Sequence, residues 1–356
     1  MILRTTVLLL IVFTVITSQL PEIHAQEKQA KLQIFILAGQ SNMEGKGSAE
    51  TMNRQLADPQ KKARFQHLKT GDQWAERDDV WIDYLGNRGQ RHGKLTMGYG
   101  ISQKDSQKLF GPELGFGWAM GDLLDENILI IKTAWGGKSL DRDFRSPSRG
   151  IPGSIDEVVK KQQKRKPELT KEEYEKGYGH FYRLMMEEVK MVLGDLKTYA
   201  PEYQGQGYEI AGFVWFQGWN DQYAPTSVAD YEENMAGFIR DIRKDLNRPN
   251  LPVVIGAMGH QGAKQKGKIK QIADAQAAVA EQSEFQNTVN TIRTADFWDT
   301  EAEAAFETHW ADKKNRDIEK WQNFGNDRPY HYLGSPVFFY NVGVAFAEAM
   351  YPMLSK

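Results

Sequence analysis

The segment ILAGQSNMEGKGS, residues 36–48, places a serine where a catalytic nucleophile could stand. An apolar run ends at Gly39, and the polar residues Gln40, Ser41 and Asn42 follow directly. This serine would lie at the carboxyl end of a predicted strand and at the start of a predicted helix. Open α/β sheets bind ligands at that edge, and unpaired N–H groups there favour a developing anion. Ser41 is therefore a candidate nucleophile if a base can remove its proton.

Two other interpretations of this segment require different features. A phosphate-binding loop has four residues between its first glycine and a Gly-Lys-Ser/Thr triplet. Here five residues separate Gly39 from Gly45, and Lys46 is followed by Gly47, which argues against nucleotide binding. A serine that follows a strand can also simply cap the next helix, and the residues around Ser41 leave that interpretation open.

The string LAGQSNMEG resembles the first conserved block of the SGNH hydrolases. It is most similar to the sialate O-acetylesterase-like and acetylxylan-esterase-like enzymes of carbohydrate esterase family 6 and its relatives. The resemblance continues, in the expected order, through FGPELGFG, IIKTAWGGKSL, VWFQGWND and YHYLGS. It implies a serine esterase that removes O-acetyl groups from acetylated xylan, sialic acid or another glycan. It implies no cofactor.

The resemblance also assigns the nucleophile and the base. Ser41 would be acylated, and His331, just before the last predicted helix, would be the general base. Histidine is the usual base at neutral pH. The chemistry alone would accept any histidine that reaches the serine. Six histidines follow the predicted signal peptide, at positions 67, 92, 180, 260, 309 and 331.

The acid of the triad is less clearly marked. The family pattern is Asp-x-x-His, and this chain has Arg328 at the position of the aspartate. We expect Asp327, one residue earlier, to orient the imidazole. Asp296, Asp299 or a backbone carbonyl are alternatives, because triads are defined by geometry and not by order along the chain.

The resemblance implies an oxyanion hole with three kinds of donor. The backbone N–H groups of Ser41 and Gly136 are expected to contribute, together with a side-chain amide from the string WFQGWND. SGNH hydrolases generally use an asparagine in Gly-x-Asn-Asp, which residues 218–221 spell. The carbohydrate-esterase branch has a Gln-Gly element instead. Both Gln217 and Asn220 are candidates, with Gln217 as the first choice.

Further residues in or beside these blocks are expected to contact the substrate: Gln40, Asn42, Glu113, Trp135 and Trp219. The two tryptophans could give sugar rings an apolar platform. A carboxylate such as Glu113 could equally be a residue that stabilises the start of a helix.

These candidate residues need a sheet that brings distant segments together. Near-continuous apolar runs predict buried parallel strands at residues 32–38, 128–134, 210–217, 252–258 and 289–295. Amphipathic segments between and after them predict helices at 111–124, 181–196, 229–246, 269–282 and 336–353. The alternation predicts a three-layer α/β/α fold with a doubly wound parallel sheet. The resemblance implies the flavodoxin-like SGNH hydrolase version of that fold. Two polar insertions are expected, at about 51–109 and 141–179.

The N-terminus predicts an export signal. Residues 1–25 contain one basic residue, an apolar run at 7–16 and an A-x-A-like cleavage site that ends at Ala25. We therefore expect a secreted or periplasmic protein whose single catalytic domain spans residues 26–356. The apolar run is too short to remain as a membrane span, so no membrane insertion is expected after cleavage.

Composition narrows the remaining functional classes. The chain has no cysteine, which excludes disulfides, thiolate metal sites and a cysteine nucleophile. Its formal charge of −2 gives no indication of nucleic-acid binding. No His-Glu-x-x-His string or comparable cluster predicts a catalytic metal. The expected partner is an acetylated carbohydrate, and the sequence does not indicate an oligomeric state.

Two alternatives to a carbohydrate acetylesterase remain at this stage. One is a related SGNH esterase or thioesterase that acts on a non-sugar ester. The other is a non-catalytic carbohydrate-binding protein on a degenerate esterase fold. The second alternative rests on Arg328, which occupies the position of the expected acid.

Overall fold

The computed structural model of the protein describes residues 30–101 and 108–354, so the predicted signal peptide lies outside the described residues and remains a prediction. The described strands are β1 Leu32–Gly39, β2 Gly47–Ser48, β3 Lys69–Thr70, β4 Gln73–Trp74, β5 Val80–Gly86, β6 Gly89–Lys94, β7 Leu109–Phe110, β8 Ile128–Ala134, β9 Tyr208–Phe216, β10 Val253–Ala257 and β11 Val289–Arg293. Seven of them form the main sheet in the order β11-β10-β9-β1-β8-β5-β6. All are parallel except β6, which pairs antiparallel with β5 at one edge.

Helices cover both faces of this sheet. The α-helices are α1 Ser41–Glu44, α2 Ala49–Gln55, α3 Pro59–Phe65, α4 Pro112–Leu123, α5 Ile155–Gln163, α6 Lys171–Lys176, α7 His180–Gly194, α8 Leu196–Tyr199, α9 Pro225–Ala229, α10 Tyr231–Asp245, α11 Gly267–Glu281, α12 Thr300–Phe306, α13 Ile318–Trp321 and α14 Pro336–Leu354. Shorter helical turns lie at Gln66–Leu68, Pro147–Arg149, Trp219–Tyr223, Gly262–Lys264, Ser283–Phe285, Thr294–Phe297, Glu307–Ala311 and Pro329–Gly334.

The central strand β1 explains why the sheet is covered on both faces. Successive side chains of a strand point to opposite faces. Ile34 and Ile36 belong to a core cluster with residues of α7, α10 and α11. Phe35 and Leu37 belong to a second cluster with residues of α4 and α14. The predicted three-layer fold with a doubly wound, mostly parallel sheet is therefore confirmed.

On one face, α4 and α14 pack together unusually closely. A Cβ atom at Gly115 would lie 2.0 Å from the carbonyl oxygen of Tyr340, and one at Gly343 would lie 2.1 Å from that of Pro112. Only glycine allows this backbone approach. As predicted, α14 begins at Pro336, and Ser335 Oγ accepts a hydrogen bond from the backbone N–H of Phe338. In the described part of the chain, α14 is the one helix long and apolar enough to cross a membrane, but half of that stretch is buried inside the fold.

The predicted insertion at 51–109 needs a correction, because it contains part of the main sheet. Residues Val80–Gly86 form β5, which pairs parallel with β8. The pattern was missed because the acidic residue Asp83 interrupts an otherwise apolar strand, although its side chain is fully buried. The second segment, 141–179, contributes α5, α6 and a helical turn but no strand of the main sheet.

Asp83 forms a buried carboxyl pair with Glu188 of α7. The side-chain amide of Gln90 donates hydrogen bonds to Asp83 Oδ1 at 3.0 Å and to Glu188 Oε1 at 2.7 Å. Burial raises the pKa of Asp83, and the neighbouring Glu188 carboxyl group raises it further. Asp83 therefore stays protonated in the folded protein at pH values at which it would be ionised in the unfolded chain.

This pair predicts a specific pH dependence of stability. The unfolding free energy should fall as the pH rises from about 4, the pKa of aspartate in the unfolded chain, through neutrality. Over this range folded Asp83 keeps a proton that the unfolded chain has released. Asp83→Asn should flatten this fall. Urea unfolding at a series of pH values measures it, with Asp125→Asn in an exposed turn as the control. An unchanged pH slope in Asp83→Asn would contradict the assignment.

Candidate active site

Ser41 lies at the carboxyl end of the central strand, as predicted. Gln40 is extended, and the short helix α1 begins at Ser41 and ends at Glu44. One turn is too short to give the helix dipole that the sequence analysis invoked. The unpaired donors of a first turn remain. Within the described residues, no acceptor is hydrogen-bonded to the backbone N–H of Ser41.

The side chain of His331 contacts both Ser41 and Asp327. Its Nε2 atom lies 3.0 Å from Ser41 Oγ, and its Nδ1 atom lies 3.0 Å from Asp327 Oδ2. A carboxylate can only accept, so Nδ1–H donates to Asp327 and the lone pair of Nε2 faces the serine hydroxyl. This is the arrangement of a nucleophile, a base and an orienting acid. The structure thus brings the three residues together, while their catalytic roles remain predictions.

Asp327 has the environment of an ionised acid. Burial alone would raise the pKa of Asp327, but the hydrogen bond and charge of His331, together with the backbone N–H of Arg328, hold that pKa below its usual range. Neither alternative acid contacts the imidazole. Asp299 caps α12 and accepts a hydrogen bond from Ser335, and Asp296 pairs with Arg293.

The backbone just after His331 adopts an uncommon conformation. Tyr332 and Leu333 have φ angles of 48° and 63°, in the left-handed region that non-glycine residues rarely adopt, and Gly334 follows at 61°. Such residues cost about 1–3 kcal/mol each and persist only where the surroundings hold them. Here the Tyr332 hydroxyl accepts from Gly259 N–H at 2.8 Å and pairs with Thr294 Oγ1 at 2.8 Å.

Tyr330, the residue before His331, is held by hydrogen bonds to its backbone carbonyl. His260 Nε2 lies 2.6 Å from the carbonyl oxygen of Tyr330, and Asn42 Nδ2 lies 3.4 Å from the same atom. Burial lowers the pKa of His260 to about 3, so the imidazole is neutral and Nε2–H donates. Asn42 is 1% exposed. The expectation that it binds substrate is therefore wrong, since its buried side chain is directed to the loop that carries His331.

Two of the expected oxyanion donors are already engaged. The Gly136 N–H donates to Glu44 Oε1 at 2.8 Å. Gln217 is fully buried, and its amide donates to the Lys138 carbonyl at 2.9 Å and to Asp221 Oδ2 at 2.6 Å. These bonds use both amide hydrogens of Gln217. Gln217 is thus corrected from an oxyanion donor to a structural residue, and Gly136 is corrected in the same way.

Asn220 is the amide that stays available. It is partly exposed, and its Nδ2 donates one hydrogen bond, to the Gly137 carbonyl at 2.8 Å, so its second hydrogen has no acceptor among the described residues. It contacts Gln40, the residue before Ser41: Gln40 Nε2 donates to Asn220 Oδ1 at 3.4 Å, and Gln40 Oε1 accepts from Gly218 N–H at 3.2 Å. Gln40 itself is 1% exposed, so its expected contact with substrate is also wrong.

Two more expected substrate contacts prove to be buried. Glu113 is fully buried and forms an ion pair with Lys132 at 2.6 Å, and it accepts from Gly111 N–H at the start of α4. Trp135 is 3% exposed and packs against Phe144 and Phe181. Both assignments are corrected, because a side chain without a solvent-accessible surface has no face for a sugar.

Glu44, which was not among the predicted site residues, connects these elements. Its carboxylate accepts from Gly136 N–H and, at 2.9 Å, from Asn87 Nδ2. Lys132 Nζ donates to the Glu44 carbonyl at 3.0 Å. The position three residues after Ser41 in the same block was a usable signal. His260 was missed as well, although it follows a strand predicted to end at Met258.

Trp219 is the one expected substrate contact that keeps an accessible face. It is partly exposed, and its ring lies 4.6 Å from that of His260 and 5.7 Å from that of Tyr330. Within residues 30–101 and 108–354, no group of three or more histidine or acidic side chains could hold a metal ion. The partly exposed side chains of the site are therefore His331, Asn220 and Trp219, next to Ser41, which keeps 8% of its surface exposed.

Comparisons with known proteins point to one family. The family described as "Carbohydrate esterase, sialic acid-specific acetylesterase" matches residues 31–314, a range that includes Ser41 and ends before Asp327 and His331. A probable carbohydrate esterase from Arabidopsis thaliana is 30% identical over 104 residues. That alignment covers 29% of this chain and only 34% of the relative, about a third of its length.

Solved structures with a similar fold were also found. An Arabidopsis thaliana protein aligns over 90% of this chain and 98% of its own, at 19% identity and a TM-score of 0.49. A carbohydrate acetylesterase from Xanthomonas citri aligns over 89% of this chain and 55% of its own, at 13% identity and a TM-score of 0.49.

The hydrogen bonds of the Tyr332 hydroxyl to Gly259 and Thr294, which we call the clamp on the His331 loop, predict the effect of removing that hydroxyl. Tyr332→Phe keeps the ring that stacks on Phe338 at 3.8 Å but leaves the buried Gly259 N–H without its acceptor. The unfolding free energy should fall by about 1–3 kcal/mol. Urea denaturation measures the change, with the exposed Tyr351→Phe as the control. A loss no larger than that of the control would show that the hydroxyl does not hold the loop.

Proposed function

The chain belongs to the sialic acid-specific acetylesterase family of carbohydrate esterases, and we propose that it removes O-acetyl groups from a carbohydrate through an acyl-enzyme on Ser41. The observation that carries this proposal is the hydrogen-bonded series Ser41–His331–Asp327, with both distances at 3.0 Å. Family membership supports the ester and the sugar, and the series supports the serine mechanism.

In the first half-reaction, Ser41 Oγ attacks the carbonyl carbon of the acetyl ester as His331 Nε2 takes the hydroxyl proton. Asp327 accepts the Nδ1–H hydrogen bond and stabilises the imidazolium that forms. The tetrahedral intermediate then collapses. The bond to the sugar oxygen breaks, and His331 returns its proton to that oxygen, which leaves as a sugar hydroxyl. The acetyl group stays on Ser41.

In the second half-reaction, water replaces the sugar. His331 Nε2 removes a proton from the water, and the hydroxide oxygen bonds to the acetyl carbon. Collapse of this intermediate breaks the bond to Ser41 Oγ, which regains a proton from His331, and acetate is released. The histidine thus acts once as base and once as acid in each half-reaction.

The negative charge of each intermediate needs donors that are already in place. We assign this role to the Ser41 backbone N–H and to the free hydrogen of Asn220 Nδ2. No described residue accepts from the first, and Asn220 is hydrogen-bonded to Gln40, the residue before Ser41. Preorganised donors of this kind contribute more than donors that must reorient during the reaction.

The alternative of a non-catalytic sugar-binding protein loses its main support. It rested on Arg328 at the position of the acid. Asp327, one residue earlier, reaches the imidazole because the chain between them turns, and His331 N–H donates to the Arg328 carbonyl. These contacts favour a catalytic site over a sugar-binding one.

The mechanism predicts how activity changes when each partner is removed. Ser41→Ala and His331→Ala should each lower kcat for acetate release by at least about 10⁴-fold, since these residues act as a unit. Asp327→Asn should lower it by about 10²–10⁴-fold, because the amide no longer holds the required tautomer. The measurement is acetate release from 4-nitrophenyl acetate and from acetylated xylan.

Two further variants serve as comparisons in that assay. Asn220→Ala should lower kcat by about 10²–10³-fold with little change in KM, as expected for a donor used in the transition state. Ser148→Ala, at an exposed position, should keep the wild-type rate. Full activity in Ser41→Ala, with an unaltered fold, would rule out the proposed mechanism.

A further inference from the structure

Three aromatic side chains, Tyr223, Trp219 and Tyr330, lie in a row beside the base; we call them the aromatic strip. Trp219 Nε1–H donates to the Tyr223 hydroxyl at 3.1 Å. The rings of Trp219 and Tyr330 are 5.7 Å apart at an interplanar angle of 37°. The Tyr330 ring in turn lies 4.5 Å from the imidazole of His331. The strip therefore leads directly to the proposed catalytic centre.

The aromatic strip is exposed even though its members are large. Tyr223 is 69% and Tyr330 39% exposed, and Trp219 is partly exposed. Single exposed apolar residues are common, but adjoining ones mark binding surfaces. None of these three rings is fully buried, so each keeps a face that a ligand can reach.

The strip is also held in place before any ligand arrives. Trp219 packs on His260 at 4.6 Å, and His260 stacks on the buried Tyr332 at 4.5 Å. The Tyr330 carbonyl accepts from His260 at 2.6 Å. Rigid aromatic side chains lose little conformational entropy on binding, so they are suited to weak contacts that must add up.

The tyrosine and tryptophan side chains of the strip carry no formal charge at neutral pH, whereas Arg328, two residues before Tyr330, is an exposed cation outside the strip. Within the described part of the chain, none of the cation–π contacts involves these three rings. His260 is neutral, since burial lowers its pKa to about 3. Asp221, within the same turn, is buried and accepts from the backbone N–H groups of Leu140 and Asp141.

We propose that the aromatic strip binds further sugars of a neutral glycan chain whose acetylated sugar lies at Ser41. Pyranose rings present apolar C–H faces that pack on aromatic rings, while their hydroxyl groups remain in contact with water or with polar edges such as the tyrosine hydroxyls. A row of rings that starts at the base fits a chain of sugars better than one sugar. This proposal rests on the proposed function, because it places the acetyl group at Ser41.

A charged monosaccharide has a different requirement. A sialic acid carries a carboxylate, whose burial against a protein calls for a cation or several N–H donors. The strip offers neither. The substrate class inferred from the side chains of the strip is therefore an O-acetylated neutral oligosaccharide or polysaccharide.

Hydrolysis of substrates of increasing length tests this inference. The wild-type kcat/KM should rise by about ten-fold from O-acetylated xylose to O-acetylated xylotetraose, and 4-nitrophenyl acetate cleavage shows whether each variant keeps its catalytic centre. Tyr330→Ala and Tyr223→Ala should each reduce that rise about 3- to 10-fold, the range expected for one lost aromatic contact. Tyr208→Ala should keep the full rise, because Tyr208 is 40% exposed at the amino end of β9, whereas the site lies at the carboxyl ends of the strands.

The possible outcomes separate this inference from the proposed function. If aryl ester is cleaved but chain length has no effect, or if O-acetylated N-acetylneuraminic acid is preferred to the neutral chain, the inference is wrong and the esterase proposal stands. If wild type cleaves no ester at all, the proposed function is wrong.

Binding tests the strip even without turnover. Ser41→Ala should bind O-acetylated xylotetraose more tightly than O-acetylated xylose in isothermal titration calorimetry. Adding Tyr330→Ala should weaken tetrasaccharide binding about 3- to 10-fold, while adding Tyr208→Ala should not change it. Equal affinity for the two sugars would overturn the inference.

Discussion

The imidazole of His331 must make two hydrogen bonds in opposite directions, and the rest of the site is arranged around that requirement. One bond reaches Ser41 at the end of the central strand, and the other reaches Asp327 four residues earlier. The first joins segments separated by 290 residues. The second requires the chain to turn sharply, and the left-handed run from Tyr332 to Gly334 follows at once. The clamps at Gly259 and Thr294 hold that strained backbone.

Around Ser41 and His331, buried polar side chains hold the loops at the carboxyl edge of the sheet. Glu44 holds Gly136, Gln40 holds the turn at Gly218, and Lys132 holds the backbone of Glu44. Burying such groups is costly unless their hydrogen bonds are satisfied, so each one fixes a geometry as well as filling space. Next to His331, Tyr330 and Trp219 keep exposed aromatic faces.

The sequence predicted the fold well because continuous apolar strands and amphipathic helices are local patterns. It did not predict β5, because the buried Asp83 interrupts the apolar pattern of that strand. It also singled out Ser41, His331 and Asp327, whose side chains the structure brings into contact, while their catalytic roles stay predictions. It could not separate Gln217 from Asn220, or show that Gln40, Asn42, Glu113 and Trp135 are buried. All of these side chains have a chemistry that suits the predicted role. Only the tertiary contacts decide which of them has a free hydrogen or an exposed face.

The central claim is that Ser41 carries the acetyl group during turnover. The most direct measurement is mass spectrometry of the protein mixed with 4-nitrophenyl acetate and quenched in acid within the first turnover, followed by digestion. The account predicts one added acetyl group on the peptide that contains Ser41, its loss on longer incubation, and its absence in Ser41→Ala. Rapid hydrolysis with no acetylated peptide, or an acetyl group on another residue that disappears at the rate of turnover, would contradict the account.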